Sequence, residues 1–525
     1  MKANNFPFTL NRNGICNGLA LVHAKYVLEG RGKEFTNILT YISEGKRDKY
    51  ITDEDINNFA FQALLAYAPQ EFDHGLHQVT AMKALKIRGI PLAPSFGFCM
   101  AAPDENWTQA LQDIALKDDE VMIIRSVDHV ISVHKANGNY IVYDPNYNNG
   151  FKEFADEASL VTELHKNVFT YREGNLGLDI QILRHPEKQN KDRIYPTVVN
   201  LYEKYLPDAK ATARCGKKEF KILEDAAGHN DKSVIEYLLN RGAEDYVDAV
   251  INAVRTNSPS ALEPLLPCIN NGEQILRIWN YAFNSGRKDV IDVLRQDPKF
   301  KRYYSNYKVH GIFISAAACG NNAALLAETI NDYKAVSSAD LSKLILGQQT
   351  EMISKGWGSP LSHAINSGDV QSVKLLMKQL ENCGTKLSDE QKIAFLLEAI
   401  RANRNSVTNY LITKKPGISR ELMKTVNLTI YAVERTNILL LHDLQKHGVE
   451  FNNASQKLID RKESKAITLI ESLGIAVIKF AYFLKDMLDK EKGVHCDARM
   501  FKTVKQNSQA ADDSQKPSEF PQERP

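Results

Sequence analysis

The stretch DHVISVHKANGNYIVYDPNYNNGFKEF, Asp128–Phe154, decides the fold of the first part of the chain. Asn137-Gly138 lies between two runs of alternating apolar and polar residues. That dipeptide accepts the positive φ angles of a two-residue hairpin turn. The turn sets the register: His134 pairs with Ile141, Ile131 with Asp144, and His129 with Asn146. Directly paired residues share a face, as do residues two apart on one strand. His129 and Asp144 are therefore expected on one face as diagonal neighbours, and His134 on the other. Upstream, Val121–Ser126 reads as a strand beside His129–His134 and Tyr140–Tyr143. Before these, helices are expected at Cys16–Leu28, behind the polar loop NRNG, at Ile56–Ala66, and at Gln78–Arg88, stopped by Gly89 and Pro91. Helices first and an antiparallel hairpin later predict an α+β domain.

The whole chain has 525 residues and a mass of 59.1 kDa, which suits about two to four domains. It is 43% hydrophobic and 25% charged, enough to bury real cores. The 66 Lys+Arg against 64 Asp+Glu leave +2, which excludes a chain held to nucleic acid by overall charge. Seven cysteines, widely spread and without a CxxC, speak against a disulfide scaffold or a structural zinc site and for a reducing compartment. The start, MKANNFPFTLNRNG, has no apolar core of a secretory signal. The apolar stretch Gly474–Leu488 is short and broken by Lys479, so a docked helix is expected there rather than a membrane span.

After about residue 200 the pattern turns to short helices that repeat. Ala226, Ala253, Ala282, Ala364, Ala399 and Ala432 are each followed, at one fixed distance, by Leu238, Leu265, Leu294, Leu376, Leu411 and Leu444. Between each pair stands Asn230, Asn257, Gly286, Gly368, Asn403 or Thr436. The small alanine lets a first helix approach its neighbour, Asn or Gly accepts the left-handed turn that ends it, and the leucine faces the stack from a second helix. A poorer copy carries Ala316 with Gly320. Such arrays are solenoids. The stretch SPLSHAINSGDVQSVKLLM, Ser359–Met377, resembles the ankyrin repeat, and EDAAGHNDKSVIEYLLNRGA is nearly as close. Ser362 stands where the repeat usually has His, and most copies lack the TPLH start.

A histidine and a carboxylate on one face make two parts of a nucleophile, base and orienter set. Cys16 supplies the third: at a predicted helix start, the dipole and free N–H groups favour a thiolate. GICNGLALVH, followed by the Asp128–Phe154 stretch, resembles the YopT/AvrPphB family of bacterial effector cysteine proteases. The likeness rests on a cysteine in a GxCxxL helix start, a histidine at the head of a strand, and a D-P-N signature with a later G-x-F, over roughly residues 8–155. It implies a papain-like fold, with Cys16 as nucleophile, His129 as general base then acid, and Asp144 as orienter. It also implies Asn11 as an oxyanion donor beside the Cys16 N–H, with Asn13 as the rival. Val130 stands where the family often has Ala, which bears on substrate access. No metal or organic cofactor is implied.

The expected architecture is an α+β papain-like cysteine protease domain over 1–200, a linker at 201–218, a degenerate all-α ankyrin-repeat solenoid at 219–475, a helix at 476–502 and a disordered tail at 503–525. This resembles the ankyrin-bearing effectors of intracellular bacteria such as Legionella, which a type IV system delivers into the host cytosol. The array would recruit a host protein as substrate or adaptor. Two other readings stay open: another acyl transfer by the same triad, such as deamidation or transglutamination, and a non-enzymatic scaffold with a vestigial protease-like domain. Taken singly, Cys16 reads as a small core residue, His129 as a strand histidine and Asp144 as a turn residue; the joint pattern lifts them. His74 and His77 read as a structural pair, for no third ligand completes a metal site. Cys99 reads as core, Trp357 as loop packing or a contact residue, and the basic run near 210–218 as a solvated linker.

Overall fold

A computed structural model describes residues 15–44, 51–67, 78–171, 174–188, 193–336, 340–348, 358–402 and 404–414. Asn11, Asn13, His74, His77, Trp357, the repeat copy at Ala432, the stretch 474–488, the 476–502 helix and the 503–525 tail lie outside these residues. The chain divides into two compact units. One holds Asn13–Ile38 and Asn58–Ser388; the other holds Met1–Arg12, Leu39–Asn57 and Asp389–Pro525.

The elements of the first part are α1 (Cys16–Leu28), α2 (Gly32–Glu44), α3 (Asp53–Tyr67), β1 (Lys86–Ile87), β2 (Ile90–Pro91), β3 (Pro94–Ala102), α4 (Asp104–Ile114), β4 (Glu120–Arg125), β5 (Val130–Ala136), β6 (Asn139–Tyr143), β7 (Phe151–Phe154), α5 (Glu157–Glu163) and β8 (Leu176–Arg184). Six strands form one antiparallel sheet in the order β3-β8-β4-β5-β6-β7. This is the mixed α and β architecture of an α+β protein. The β5–β6 register pairs Ala136 with Asn139 and His134 with Ile141, as the Asn-Gly turn dictates. Asn137 and Gly138 take φ of 54° and 84°.

The register also sorts the two faces. Ser132, Ile123, Gln181 and Gly97 lie in one cross-strand row. That face carries α1, whose His23 meets Ser132 and whose residues from Cys16 to Tyr26 are all buried. The opposite face carries α4: Phe98 meets the fully buried Trp107 edge to face, and the indole N–H donates to the Leu176 carbonyl at 2.8 Å. A helix buried all round, like α1, has no polar stripe and so must be central.

Gln78–Arg88 is not one helix. It is a short 3-10 segment, Gln78–Ala84, followed by the β1–β2 hairpin. Arg88 and Gly89, with φ of 50° and 82°, are the hairpin's turn, so the glycine read as a helix stop is a turn residue. The stretch 201–218 is not a bare connector either. It holds most of α6 (Val198–Tyr205), then β9 (Thr212–Cys215), which pairs with β10 (Lys218–Lys221). Leu201 and Tyr202 are buried, so a polar-looking segment hides one packed face.

Helix pairs follow: α7 (Ile222–Ala227) with α8 (Lys232–Asn240), α9 (Tyr246–Thr256) with α10 (Pro259–Leu265), and α11 (Gly272–Asn284) with α12 (Lys288–Gln296). After α13 (Pro298–Tyr304) come α14 (Tyr307–Cys319) with α15 (Ala323–Val336), then Pro360–Ser367 with Val370–Asn382. First helices stack in one row, α7 on α9 on α11 on α14 on Pro360–Ser367, while α8, α10 and α12 stack in a second. Ala226, Ala253, Ala282 and Ala364 are buried between first helices, and Leu238, Leu265, Leu294 and Leu376 are buried on second helices. Asn230, Asn257, Gly286 and Gly368 are left-handed, with φ from 57° to 85°. In the poorer copy the left-handed residue is Asn321, one place after Gly320. In the other unit, Asp389–Arg401 packs on Asn405–Thr413 with Ala399 buried and Leu411 half-buried. Among the described residues, no helix is long and apolar enough to cross a membrane.

Candidate active site

Cys16 is the first residue of α1. Its N-cap, Ile15, gives no side-chain hydrogen bond to the helix start. A helix N-terminus favours a thiolate or an incoming anion beside it. Two contacts fix this helix end against α3. The Asn17 side-chain amide donates to the Ala66 carbonyl at 3.0 Å. Gly18 lets the backbones close up, since a Cβ there would sit 2.2 Å from the Ala63 carbonyl oxygen.

His129 precedes β5, in the turn where the Ser126 N–H donates to the His129 carbonyl at 3.1 Å. Its Nε2 lies 2.9 Å from Asp144 Oδ1. The Cys16 thiol also acts on this imidazole, and so does the Asn146 side chain. The ring of Phe169 packs edge to face on the imidazole, 6.0 Å between centroids. Asp144 follows β6 and is held from two sides: its own N–H donates to the Gly150 carbonyl at 3.0 Å, and the Asn146 N–H donates to its Oδ1 at 2.8 Å. Asp144 is 1% exposed, whereas Cys16 and His129 are each 9% exposed. All three side chains are thus buried, the carboxylate most completely.

Burial alone would lower the His129 pKa. The hydrogen bonds that the protonated ring donates to Asp144 and to Cys16, with the charges of both, outweigh it and raise the value to about 9. With Nε2 bound to Asp144, Nδ1 is the nitrogen left for the thiol. An imidazolium then gives one N–H to the carboxylate and the other to the thiolate.

The hairpin register thus brings His129 to Asp144, and α1 brings Cys16 to His129. Asn11 and Asn13 lie outside the described residues. His134 points to α1, where its ring stands 5.4 Å from that of His23. His23 donates or accepts at Ser132 Oγ over 2.8 Å, and burial first, then the neighbouring His134, hold its pKa well below the usual value. Cys99 sits in the core beside Tyr202, its thiol pushed well up by burial. Phe169 and Asn146 were not singled out as site residues. For Asn146 the signal was present: register opposes it to His129, and its side-chain nitrogen lies 3.4 Å from His129 Nε2. Phe169 had none, since nothing in the sequence ties it to the hairpin. Among the described residues, no cluster of three or more His, Cys, Asp or Glu could hold a metal ion. Comparison with protein-family models, with curated proteins and with solved structures finds no match to this chain.

Proposed function

We propose that this chain is a thiol acyl-transfer enzyme, a papain-like cysteine peptidase with Cys16, His129 and Asp144 as its triad. The observation that carries the reading is the imidazole of His129 hydrogen-bonded to the buried Asp144 carboxylate, with the Cys16 thiol acting on the same ring. In the reaction the Cys16 thiolate attacks a peptide carbonyl, and its carbon–sulfur bond forms as the oxyanion develops near the Cys16 N–H. His129 Nδ1 gives its proton to the leaving amine, and the acyl-enzyme remains. Water then attacks, with Nδ1 taking its proton, and the thiolate leaves. Asp144 stays ionised throughout and holds the ring.

The helix pairs, with small residues between first helices and left-handed Asn or Gly at their ends, support an ankyrin-like array. We read its role as recruitment of a host protein to the Cys16 site, which raises the local substrate concentration. Such a chain suits a bacterial effector delivered by a type IV system into a host cytosol.

The test is the pH dependence of Cys16 alkylation by iodoacetamide, read by peptide mass spectrometry. Wild type, His129→Ala and Asp144→Ala are compared. Cys16 is expected to react well below pH 8 in the wild type and roughly tenfold more slowly there in His129→Ala. An ordinary thiol profile in all three proteins removes the enzyme reading and leaves a scaffold.

A further inference from the structure

His129 is held by more than its side-chain partners. It stands in the turn before β5, where its carbonyl accepts from the Ser126 N–H at 3.1 Å. Ser126 is bonded through its side chain as well. Its Oγ donates to the Gly177 carbonyl at 2.9 Å and lies 2.6 Å from the Tyr171 hydroxyl. The Tyr171 hydroxyl stands farther, 3.3 Å, from the same carbonyl. Each hydroxyl has one proton to give. With the Ser126 proton on Gly177, the Tyr171 proton goes to Ser126 Oγ. Burial pushes the Tyr171 phenol up to about 12, so this donor keeps its proton at neutral pH.

Tyr171 lies two residues beyond Phe169, whose ring packs edge to face on the His129 imidazole. Phe169 leaves a π-helical turn, Leu164–Val168, with its N–H on the Leu164 carbonyl at 2.9 Å. Such wide turns are rare and frequent at functional sites. Thr170, between Phe169 and Tyr171, is left-handed with φ of 51°. A β-branched residue keeps that conformation only where its surroundings hold it there. The holds stand on both sides. The Tyr171 N–H donates to the His165 carbonyl at 2.9 Å, and the Phe169 carbonyl accepts from the Cys215 thiol at 3.3 Å. Ser126 thus bonds at its N–H to the main chain of His129 and at its Oγ to the segment that packs a ring on the imidazole.

We propose that Ser126 and Tyr171 are positioning residues of the triad: their hydroxyl pair joins the His129 turn to the Phe169 segment and so fixes the plane in which the imidazole meets Asp144 and Cys16. They act through the imidazole rather than on a substrate, and the role presupposes Cys16, His129 and Asp144 acting as the triad proposed above. Without the pair, the Phe169 segment is released on one side. The ring it packs against then turns more freely, and the two hydrogen bonds that depend on its direction weaken.

The test uses the full chain and the pH profile of Cys16 alkylation by iodoacetamide, with the His129 ring pKa read by NMR. Tyr171→Phe keeps the buried ring and removes only the hydroxyl. Ser126→Ala removes its acceptor, and Ser126→Thr returns a hydroxyl to that place. Tyr205→Phe is the matched control, since it removes a hydroxyl that donates to Asp113 at 2.9 Å in the contact of α4 with α6. Tyr171→Phe and Ser126→Ala are expected to slow alkylation in the low-pH arm by roughly threefold to tenfold, and to lower the His129 pKa. Ser126→Thr and Tyr205→Phe are expected to keep the wild-type profile. Urea midpoints are measured alongside. A lower midpoint in Tyr171→Phe and Ser126→Ala with an unchanged profile and His129 pKa overturns the proposal, for the hydroxyl pair is then structural only. So does a Tyr205→Phe profile shifted as far as that of Tyr171→Phe. An ordinary thiol profile in the wild type itself removes the triad, and any positioning role with it.

Discussion

At His129 two opposed effects meet, and the partners win. Burial favours the neutral ring, but Asp144 and Cys16 hold the proton on it up to about pH 9. A raised imidazole pKa stabilises the folded state fully below the ordinary value near 6.5 and loses that effect as pH rises through 9. The gap corresponds to about 3 kcal/mol. Cys16→Ala and Asp144→Ala each remove one partner, so each should bring the His129 pKa down toward 6.5. The larger drop is expected for Asp144→Ala, whose hydrogen bond is the stronger of the two raising effects. The fall of stability between pH 6.5 and 9 should flatten in the same order. NMR titration of the His129 ring, with urea unfolding across this range, checks both. A His129 pKa unmoved by either substitution contradicts the pairing. At this scale the sequence was informative because Asn137-Gly138 fixed the parity of every residue on the hairpin. It was silent on Phe169, which reaches the imidazole only through the fold.

The elements that were legible are those whose pattern is complete within themselves. α1 runs from Cys16 to Leu28 as its apolar run predicts, and β5 and β6 follow from their turn. β3 and β8 were not read. In LGLDIQILR, Leu176–Arg184, Asp179 and Gln181 break the apolar run of a strand that is buried on both faces. Their partners, His229 and Arg125, come from distant segments that a local pattern does not contain. In the array the readable signal was the left-handed residue that ends each first helix. Its energetic weight differs from one position to another. At Gly286, φ is +63° and a Cβ would lie 2.5 Å from the Gly320 carbonyl oxygen of the next pair. At Gly384, left-handed after the second helix Val370–Asn382 with φ of +71°, a Cβ would meet nothing within 4 Å. Gly384→Ala should therefore cost only the backbone strain, about 1 kcal/mol. Gly286→Ala adds a clash with a neighbouring main chain and should cost about 2–4 kcal/mol. Denaturant midpoints of the two variants decide this, and equal losses would mean that the first helices are not in close contact there.

Across the whole unit, the sheet and the helix pairs share one interior. Gly177 of β8 leaves room for Phe220, whose Cβ would lie 2.6 Å from an added methyl group. His229, just after α7, bonds through Nε2 to Asp179 at 2.8 Å, and Asp179 stands 3.8 Å from the Arg125 guanidinium. Arg125 Nη1 donates in turn to Gln181 Oε1 at 2.7 Å, while its Nε and Nη2 are buried without a partner. Burial disfavours the charged guanidinium, and Asp179 is the first group to offset this. A boundary near residue 200 looked natural because the polar run HPEKQNKDR precedes a change of pattern. Residues on both sides of it nonetheless complete one charged, buried cluster. Removing the anion from this cluster leaves a buried cation unpaired, so Asp179→Asn should cost about 3 kcal/mol. Trp107 reports on the sheet and Trp279 on α11, and both are fully buried. In the Trp107→Phe/Trp357→Phe and Trp279→Phe/Trp357→Phe backgrounds, which leave one tryptophan each, fluorescence should show array and sheet unfolding at one urea concentration, and Asp179→Asn should move both transitions together. A shift of the sheet transition alone would mean that the array folds independently of the sheet. The proposed recruitment and chemistry would then be coupled only through the chain that joins the two parts, not through a shared core.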